Sequence, residues 1–280
     1  MGEPLPRRLR WRPGVHVVRR DAEHLQVGID PPRRVIVRDG PGVRSLLREL
    51  PIASDAAPEI RSLRAAGLLL DGGEPDSSAA AEPGARRAVE AQFGEEAARR
   101  LADRVRARVA VRATTRARVT VTGLLRAAGM AVAQPGKLPA IWLVVTADEP
   151  VRGEIDPLVS EGAPHLLVTC GAVARVGPLV VPGRTACLRC VDAHLAEPDP
   201  RRPLVVEQVA RAARDADVPP VDPTLEVLAL AWAVRDLARY AEGDQPATWS
   251  ATVELDHAGP AVRRVWERHP HCGCAWDLVI

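Results

Sequence analysis

Apolar and polar positions alternate along residues 13–38. Val15 and Val17, then Leu25, Val27 and Ile29, then Val35 and Val37 occupy every second position, the period of a half-buried strand. Turn-forming Asp21-Ala22-Glu23 and Asp30-Pro31-Pro32 separate the three groups, so the spacing predicts three short antiparallel strands. The period then changes. Val43, Leu46, Leu47 and Leu50, followed by Ile60, Leu63 and Leu68, recur at helical intervals. Pro41 precedes the first of these helices, Pro58 opens the last, and Gly67 is placed to cap its end. Three strands followed by short helices form a compact winged-helix pattern over residues 1–70.

Residues 71–86 are small, polar and interrupted by Gly and Pro, and read as a linker. A charged helix is expected over about 86–106. Beyond it the pattern is α/β. Arg108–Arg112, a second strand at Met130–Gln134, the apolar run Ile141–Thr146, Leu166–Thr169 and Pro178–Val181 are strand candidates. The Ile141–Thr146 run has the character of a strand buried on both faces. Ala117–Ala128 suits a helix, although Val119, Thr120, Val121 and Thr122 are β-branched. A long helix is expected over Pro223–Tyr240, with Leu225, Leu228, Trp232 and Leu237 on one stripe, and Trp249–Leu255 should end the sheet. The polar segment Ala193–Pro203, with Asp192 and Glu197 nearby, reads as a solvated loop. Strands interleaved with helices imply a mostly parallel, Rossmann-like sheet over residues 87–280.

The chain has 280 residues and a net charge of +2. Residues 1–70 carry 13 Arg against 8 acidic residues, an excess of +5, which leaves −3 for the remainder. That asymmetry suits an acidic peptide or nucleic acid at the front of the chain. Aromatic residues are 3% of the chain, with one Phe and one Tyr, which argues against base-stacking platforms. There is no long apolar run for a membrane span, and Met1–Arg12 lacks the apolar stretch of a secretory signal. A cytoplasmic location is expected.

Five cysteines stand at 170, 187, 190, 272 and 274. Cys187 and Cys190, with Cys272 and Cys274, make two close pairs that could complete a tetrahedral structural zinc site. Gly273 relieves the tight Cys272–Cys274 spacing, and His269 and His271 are spare donors that could replace a thiolate. Cys170 ends a strand and suits a buried small hydrophobe. His165, His194 and His257 stand isolated, and no serine-hydrolase elbow, zinc-protease pair or phosphate-binding Gly-Lys-Ser/Thr loop is present.

The segment Gly177–Cys190, with its Cys187-Leu188-Arg189-Cys190 end, resembles the zinc-knuckle region of ThiF/MoeB-like proteins of the ubiquitin-activating-enzyme superfamily. More closely it resembles the ThiF-like partner proteins of thiazole/oxazole-modified peptide biosynthesis, whose terminal His-Pro-x-Cys-x-Cys motif is matched by His269–Cys274. Their front domain is a winged helix that recognises a precursor leader. The Leu25–Asp30 strand and the Leu63–Leu70 helix end are similar to it. The resemblance implies a leader peptide and a YcaO-type cyclodehydratase as partners, with a possible homodimer. Two features depart from adenylating relatives. Arg112-Ala113-Thr114-Thr115-Arg116-Ala117 lacks the glycines of a phosphate loop, and Pro135–Pro139 lacks the acid that would hold a ribose. Only Asp148 and Arg152 resemble the Asp…Arg pair near the nucleotide, and a surface pair explains them as well. ATP binding is therefore not expected.

These readings converge on a non-catalytic adaptor. An extended leader would add a strand along Arg33, Arg34, Val35, Ile36, Val37 and Arg38, with its side chains falling toward the helix bearing Arg61 and Arg64. The alternatives are an ATP-dependent adenylyltransferase and a winged-helix DNA-binding regulator.

Overall fold

The computed structural model describes residues 8–50, 57–72, 82–134, 136–215 and 221–274. The chain divides into two compact units, Met1–Ala102 and Asp103–Ile280.

The front unit opens with β1 (Arg8–Trp11), β2 (Val17–Arg19), β3 (His24–Val27) and β4 (Val35–Arg38). The last three form the expected antiparallel sheet in the order β2-β3-β4. Leu25, Val27 and Val37 are buried from one face of it, as period-two spacing requires. Ile29 lies beyond β3 and is exposed. Helices α1 (Pro41–Arg48) and α2 (Pro58–Ala65) begin on their prolines. Leu47, Ile60, Leu63 and Leu68 close the core over the sheet.

The Leu63–Leu70 stretch is not one helix end. At Gly67 (φ +65°) the backbone turns left-handed; the Gly67 N–H bonds to Arg64 O at 2.9 Å and the Leu68 N–H to Leu63 O at 2.9 Å. This double closure is a Schellman cap. It sends the chain into β5 (Leu69–Gly72), which pairs antiparallel with β1, Trp11 opposite Leu69. Strand structure therefore reaches into the expected 71–86 linker, and helix α3 (Pro83–Phe93) begins inside its far end; residues 73–81 lie outside the described residues.

The charged helix expected over 86–106 is broken. Gly94 (φ +60°) ends α3, a single 3-10 turn follows at Gly94–Glu96, and α4 (Ala97–Arg106) resumes. A side chain at Gly94 would meet the Arg12 guanidinium at 2.8 Å. Three arginines hold α3. Arg10 pairs with Glu90 at 3.3 Å, while Arg12 and Arg33 both donate to the terminal carbonyls of Ala91 and Gln92. Cations at a helix C-terminus satisfy its orphan carbonyls and oppose its dipole.

The rear unit contains β6 (Val109–Arg112), α5 (Thr115–Ala127), β7 (Ile141–Thr146), α6 (Arg152–Ser160), β8 (His165–Cys170) and β9 (Ala174–Val180). It continues with α7 (Leu188–Ala196), α8 (Arg202–Asp215), α9 (Pro223–Ala241), β10 (Ala251–Leu255) and β11 (Val262–Val265). The sheet order is β11-β10-β9-β8-β7-β6. Only β6/β7 and β7/β8 pair in parallel; the other three pairings are antiparallel. The expectation of a mostly parallel sheet is thus corrected to a mixed one. The cause is local: α6 supplies a crossover between β7 and β8, whereas Gly171–Val173 is too short for one, so β9 must return as a hairpin.

Three further expectations change. The second strand at Met130–Gln134 shrinks to one bridge, Val109 with Val132. The Ala193–Pro203 loop narrows to residues 197–201, between the end of α7 and the start of α8. β11, not Trp249–Leu255, ends the sheet. Both faces of the central strands are covered. Ile141, Leu143 and Val145 pack in the cluster with α5 and α9, and Val144 and Leu167 pack against Ile155 and Leu158 of α6. Leu228 of the α9 stripe points outward, 47% exposed.

Candidate functional site

Cys187 is the N-cap of α7 and Cys190 lies in its first turn, with Cys190 N–H bonded to Cys187 O at 3.0 Å. A helix N-terminus favours thiolates at these positions. Cys272 sits in a turn closed by its N–H to His269 O at 2.9 Å. These two segments bring all four sulfurs together. Cys187 Sγ is 3.7, 3.5 and 3.4 Å from those of Cys190, Cys272 and Cys274, and Cys190 Sγ is 3.3 Å from Cys274 Sγ. A disulfide needs sulfurs about 2.05 Å apart. Four thiolates placed tetrahedrally around an ion with bonds of about 2.3 Å would be about 3.8 Å apart, which these distances approach. The set could hold a metal ion.

As bare thiols the cluster shares protons unevenly. Hydrogen bonds from Cys187 and Cys274 hold the Cys190 thiol far below its ordinary pKa, while Cys187 is pushed up by giving its proton to Cys190. Cys170 lies outside the group, buried at the end of β8; burial, and then the charge of Glu226, push its thiol up to about 12.

His269 and His271 do not replace a thiolate. His269 Nδ1 accepts the His271 backbone N–H at 3.2 Å, so its Nε2 carries the proton and donates to Glu197 Oε1 at 3.1 Å. His194 stands edge-on to the same ring, and its Nε2 lies 3.0 Å from Glu267 O. His194, Glu197 and His269 are close enough to be considered as ligands, but with both His269 nitrogens engaged they form a hydrogen-bonded brace for the turn that carries Cys272.

The crevice beyond the carboxyl end of β7 is where a Rossmann-like sheet binds its ligand. Here it carries a chain of ion pairs. Arg152, 4% exposed, grips Asp192 of α7 with Nε and Nη2 at 2.8 and 2.7 Å, and gives Nη1 to Glu149 and to Pro150 O, both at 2.8 Å. Glu149 also accepts from Arg175 at 3.1 Å, and Arg175 reaches Glu254 at 3.3 Å. Burial alone would lower the Arg152 pKa, but the hydrogen bonds and charges of Asp192 and Glu149 raise it. Burial alone would raise Glu149, but Arg152 and Arg175 bring it below its ordinary value. The expected Asp148–Arg152 surface pair is therefore replaced by a buried one with Glu149 and Asp192. The available signal was an arginine three residues after Glu149, shortly beyond the apolar run Ile141–Thr146. Asp192 was not legible, because it arrives from another helix.

In the front unit β4 pairs with β3 alone among the described residues and forms the sheet edge there. Val37 is buried, Val35 half-buried, and Ile36 and Arg38 exposed. Arg34 and Arg38 are exposed and meet no carboxylate among the described residues. Arg33 is committed to the α3 carbonyls, and Arg64 to Asp71 at 3.3 Å. Arg61 projects from the exposed face of α2.

No protein-family model matches the chain, and no curated protein matches it. Solved structures do. A heterocyclase in complex with substrate and cofactor is 17% identical with a TM-score of 0.68, matching 98% of this chain and 40% of its own. The heterocyclase TruD is 18% identical with a TM-score of 0.67, matching 96% of this chain and 43% of its own. E. coli MccB is 14% identical with a TM-score of 0.59, matching 95% and 96%; MccB structures with ATP and with MccA match similarly. The chain thus spans about two fifths of the heterocyclase chains it matches. At these identities the likeness shows the fold alone, the one shared with the heterocyclase and MccB structures.

Proposed function

We propose that this protein is a non-catalytic adaptor that binds the leader of a ribosomally made precursor peptide and presents it to a separate YcaO-type cyclodehydratase, which forms the azoline rings. The observation that carries the reading is the edge of β4 beside α2, unpaired among the described residues, within the basic stretch 1–70. Such an edge offers a row of backbone donors and acceptors to an extended peptide, and Arg34, Arg38 and Arg61 would attract acidic leader residues. The front unit, with its small sheet and α1 and α2, is read as a winged helix. The cysteine cluster is read as a structural zinc site that anchors the C-terminal segment to α7, since a closed set of four thiolates leaves no open coordination position. The protein is placed in the cytoplasm, where a reduced thiolate set persists.

The test is titration of the full chain into a fluorescent leader peptide from a short precursor encoded beside its gene. Saturable, competable binding that weakens in Arg34→Glu and Arg38→Glu is expected. No binding, with nucleotide absent or present, overturns the adaptor.

A second reading, an ATP-dependent adenylyltransferase, draws on the end-to-end match to MccB. Against it stand the glycine-free turn after β6 and the ion chain in the β7 crevice. ATP–pyrophosphate exchange separates the two, and none is expected.

A further inference from the structure

The open edge of β4 has a definite phase. The Asp39 N–H donates to Glu23 O at 2.6 Å, and these two residues continue the register that sets His24 opposite Arg38 and Leu25 opposite Val37. Hydrogen-bonded pairs alternate along an antiparallel ladder, so Val37 and Val35 turn their N–H and C=O groups toward β3. Ile36 and Arg38 turn theirs to the open edge, and Arg34 follows in the same sequence. On the far side of β3 the Gly28 N–H donates to His16 O at 3.3 Å, which keeps the same alternation. The side chains share this parity. Val35 and Val37 face the core, whereas Arg34, Ile36 and Arg38 lie on the outer face. Ile36, 43% exposed, is an apolar side chain between two cations. Its cross-strand neighbour is Gln26, whose amide is bonded to Arg20, Gly28 O and Ile29 O. Asp39 is paired with Arg44, and Asp21 with His24, so neither answers Arg34 or Arg38.

We propose that the leader is selected on this outer face, as an extended segment carrying an acidic, an apolar and a second acidic residue at alternate positions. The inference rests on the leader-binding reading and specifies which leaders that site accepts. A strand laid along β4 takes backbone bonds from Ile36 and from the residues two positions to either side. Its own side chains then fall in register beside Arg34, Ile36 and Arg38. Directly opposed residues on one face of a sheet are close enough to interact. Carboxylates meet the two guanidinium groups, and an apolar residue covers Ile36. The pattern acid-x-apolar-x-acid is the same read in either direction, so it holds for parallel and for antiparallel addition. The inner face discriminates less, because Val37 is already buried within the unit's own core. Ile36 is the central specificity-determining residue, since its backbone and its side chain both meet the peptide.

The test uses the full chain and the same fluorescent leader peptide, after hydrogen exchange has located the leader segment that binding protects. That segment should contain the pattern. Replacing its two acids by Lys should weaken binding about tenfold. The Arg34→Glu/Arg38→Glu variant should lose the original leader to a similar extent and regain affinity for the Lys leader. Arg48→Glu, the same charge change on α1, should leave the preference for the acidic leader intact. Ile36→Pro removes an N–H that β3 does not use, a change an edge strand tolerates, and should weaken binding about tenfold with melting unchanged. Should Ile36→Pro lower the melting temperature, Ile36→Ser reads the side chain instead. Exchanging the leader's central apolar residue for Ser should weaken binding to the wild type and have no further effect on Ile36→Ser. Two results overturn the proposal and leave the leader reading standing: binding through a segment without this alternation, or a Lys leader that Arg34→Glu/Arg38→Glu does not rescue. Absence of leader binding by the wild type overturns both.

Discussion

Arg152 in the rear unit opens α6 after β7, and Arg38 in the front unit closes β4, and their surroundings are opposite. Arg152 is buried and gives its donors to Asp192, Glu149 and a carbonyl. Arg38 is exposed, on an edge strand with a neighbour on one side only. Beyond the end of β7, where a Rossmann-like sheet would receive a nucleotide, the protein's own charges pair with one another; the β4 edge has no second strand beside it among the described residues. Satisfied polar groups make a scaffold, and unsatisfied ones at an exposed edge make a binding surface.

Four experiments sharpen or break this contrast, from the largest expected effect downward. Removal of metal with a strong chelator should release one equivalent of zinc and cost several kcal/mol of rear-unit stability, which at about 3 °C per kcal/mol lowers Tm by about 10 °C or more. The cluster thiols should then react with an alkylating reagent while Cys170, buried with its thiol pushed up to about 12, stays inert. Stoichiometric zinc absence with unchanged melting would remove the metal clamp. Next, Arg152→Ala leaves Asp192 without its buried cation and Glu149 with Arg175 alone, and should destabilise the protein by about 3–5 kcal/mol in denaturant unfolding. A cost below about 1 kcal/mol would mean that the network contributes no more than surface pairs do.

The third experiment uses pH. The Glu149 carboxylate is held below its ordinary value of 4.5, so its stabilising contribution is complete above that value and is lost as pH falls through the lower folded one. Wild-type stability should therefore fall in acid below pH 4.5, with a shallower fall in Glu149→Gln; identical acid profiles would show that this group carries no linkage. The smallest effect is expected for Arg33→Ala. It removes one of two cations from the α3 terminus and should cost about 0.3–1 kcal/mol. If leader binding falls without any loss of stability, Arg33 touches the peptide as well as the helix.

Much of the fold is legible in short-range pattern. Period-two spacing locates β3 and β4, which bury alternate residues beneath α1 and α2, whereas β2 takes strand form with all its side chains exposed. The prolines at 41 and 58 and the glycine at 67 mark helix ends, because φ restriction and left-handed freedom act at single residues. The close spacing within each cysteine pair is local chemistry in the same sense. Failures occurred wherever a partner came from far along the chain. β1 and β5 are four residues each, Arg8 lies opposite Gly72, and neither segment carries a strand pattern without the other. Three consecutive leucines, 68–70, read as helix until the Schellman cap redirects them.

The sequence by itself therefore determined many of the local elements, the two cysteine pairs and the glycine-free turn after β6, since each depends on residues within a few positions. Tertiary structure alone decided that the rear sheet is mixed, that Arg33 closes a helix rather than lying free at the edge, and that Arg152 meets Asp192. Those outcomes depend on which segments are close in space, and on the need of every buried charge and backbone group to find a partner there.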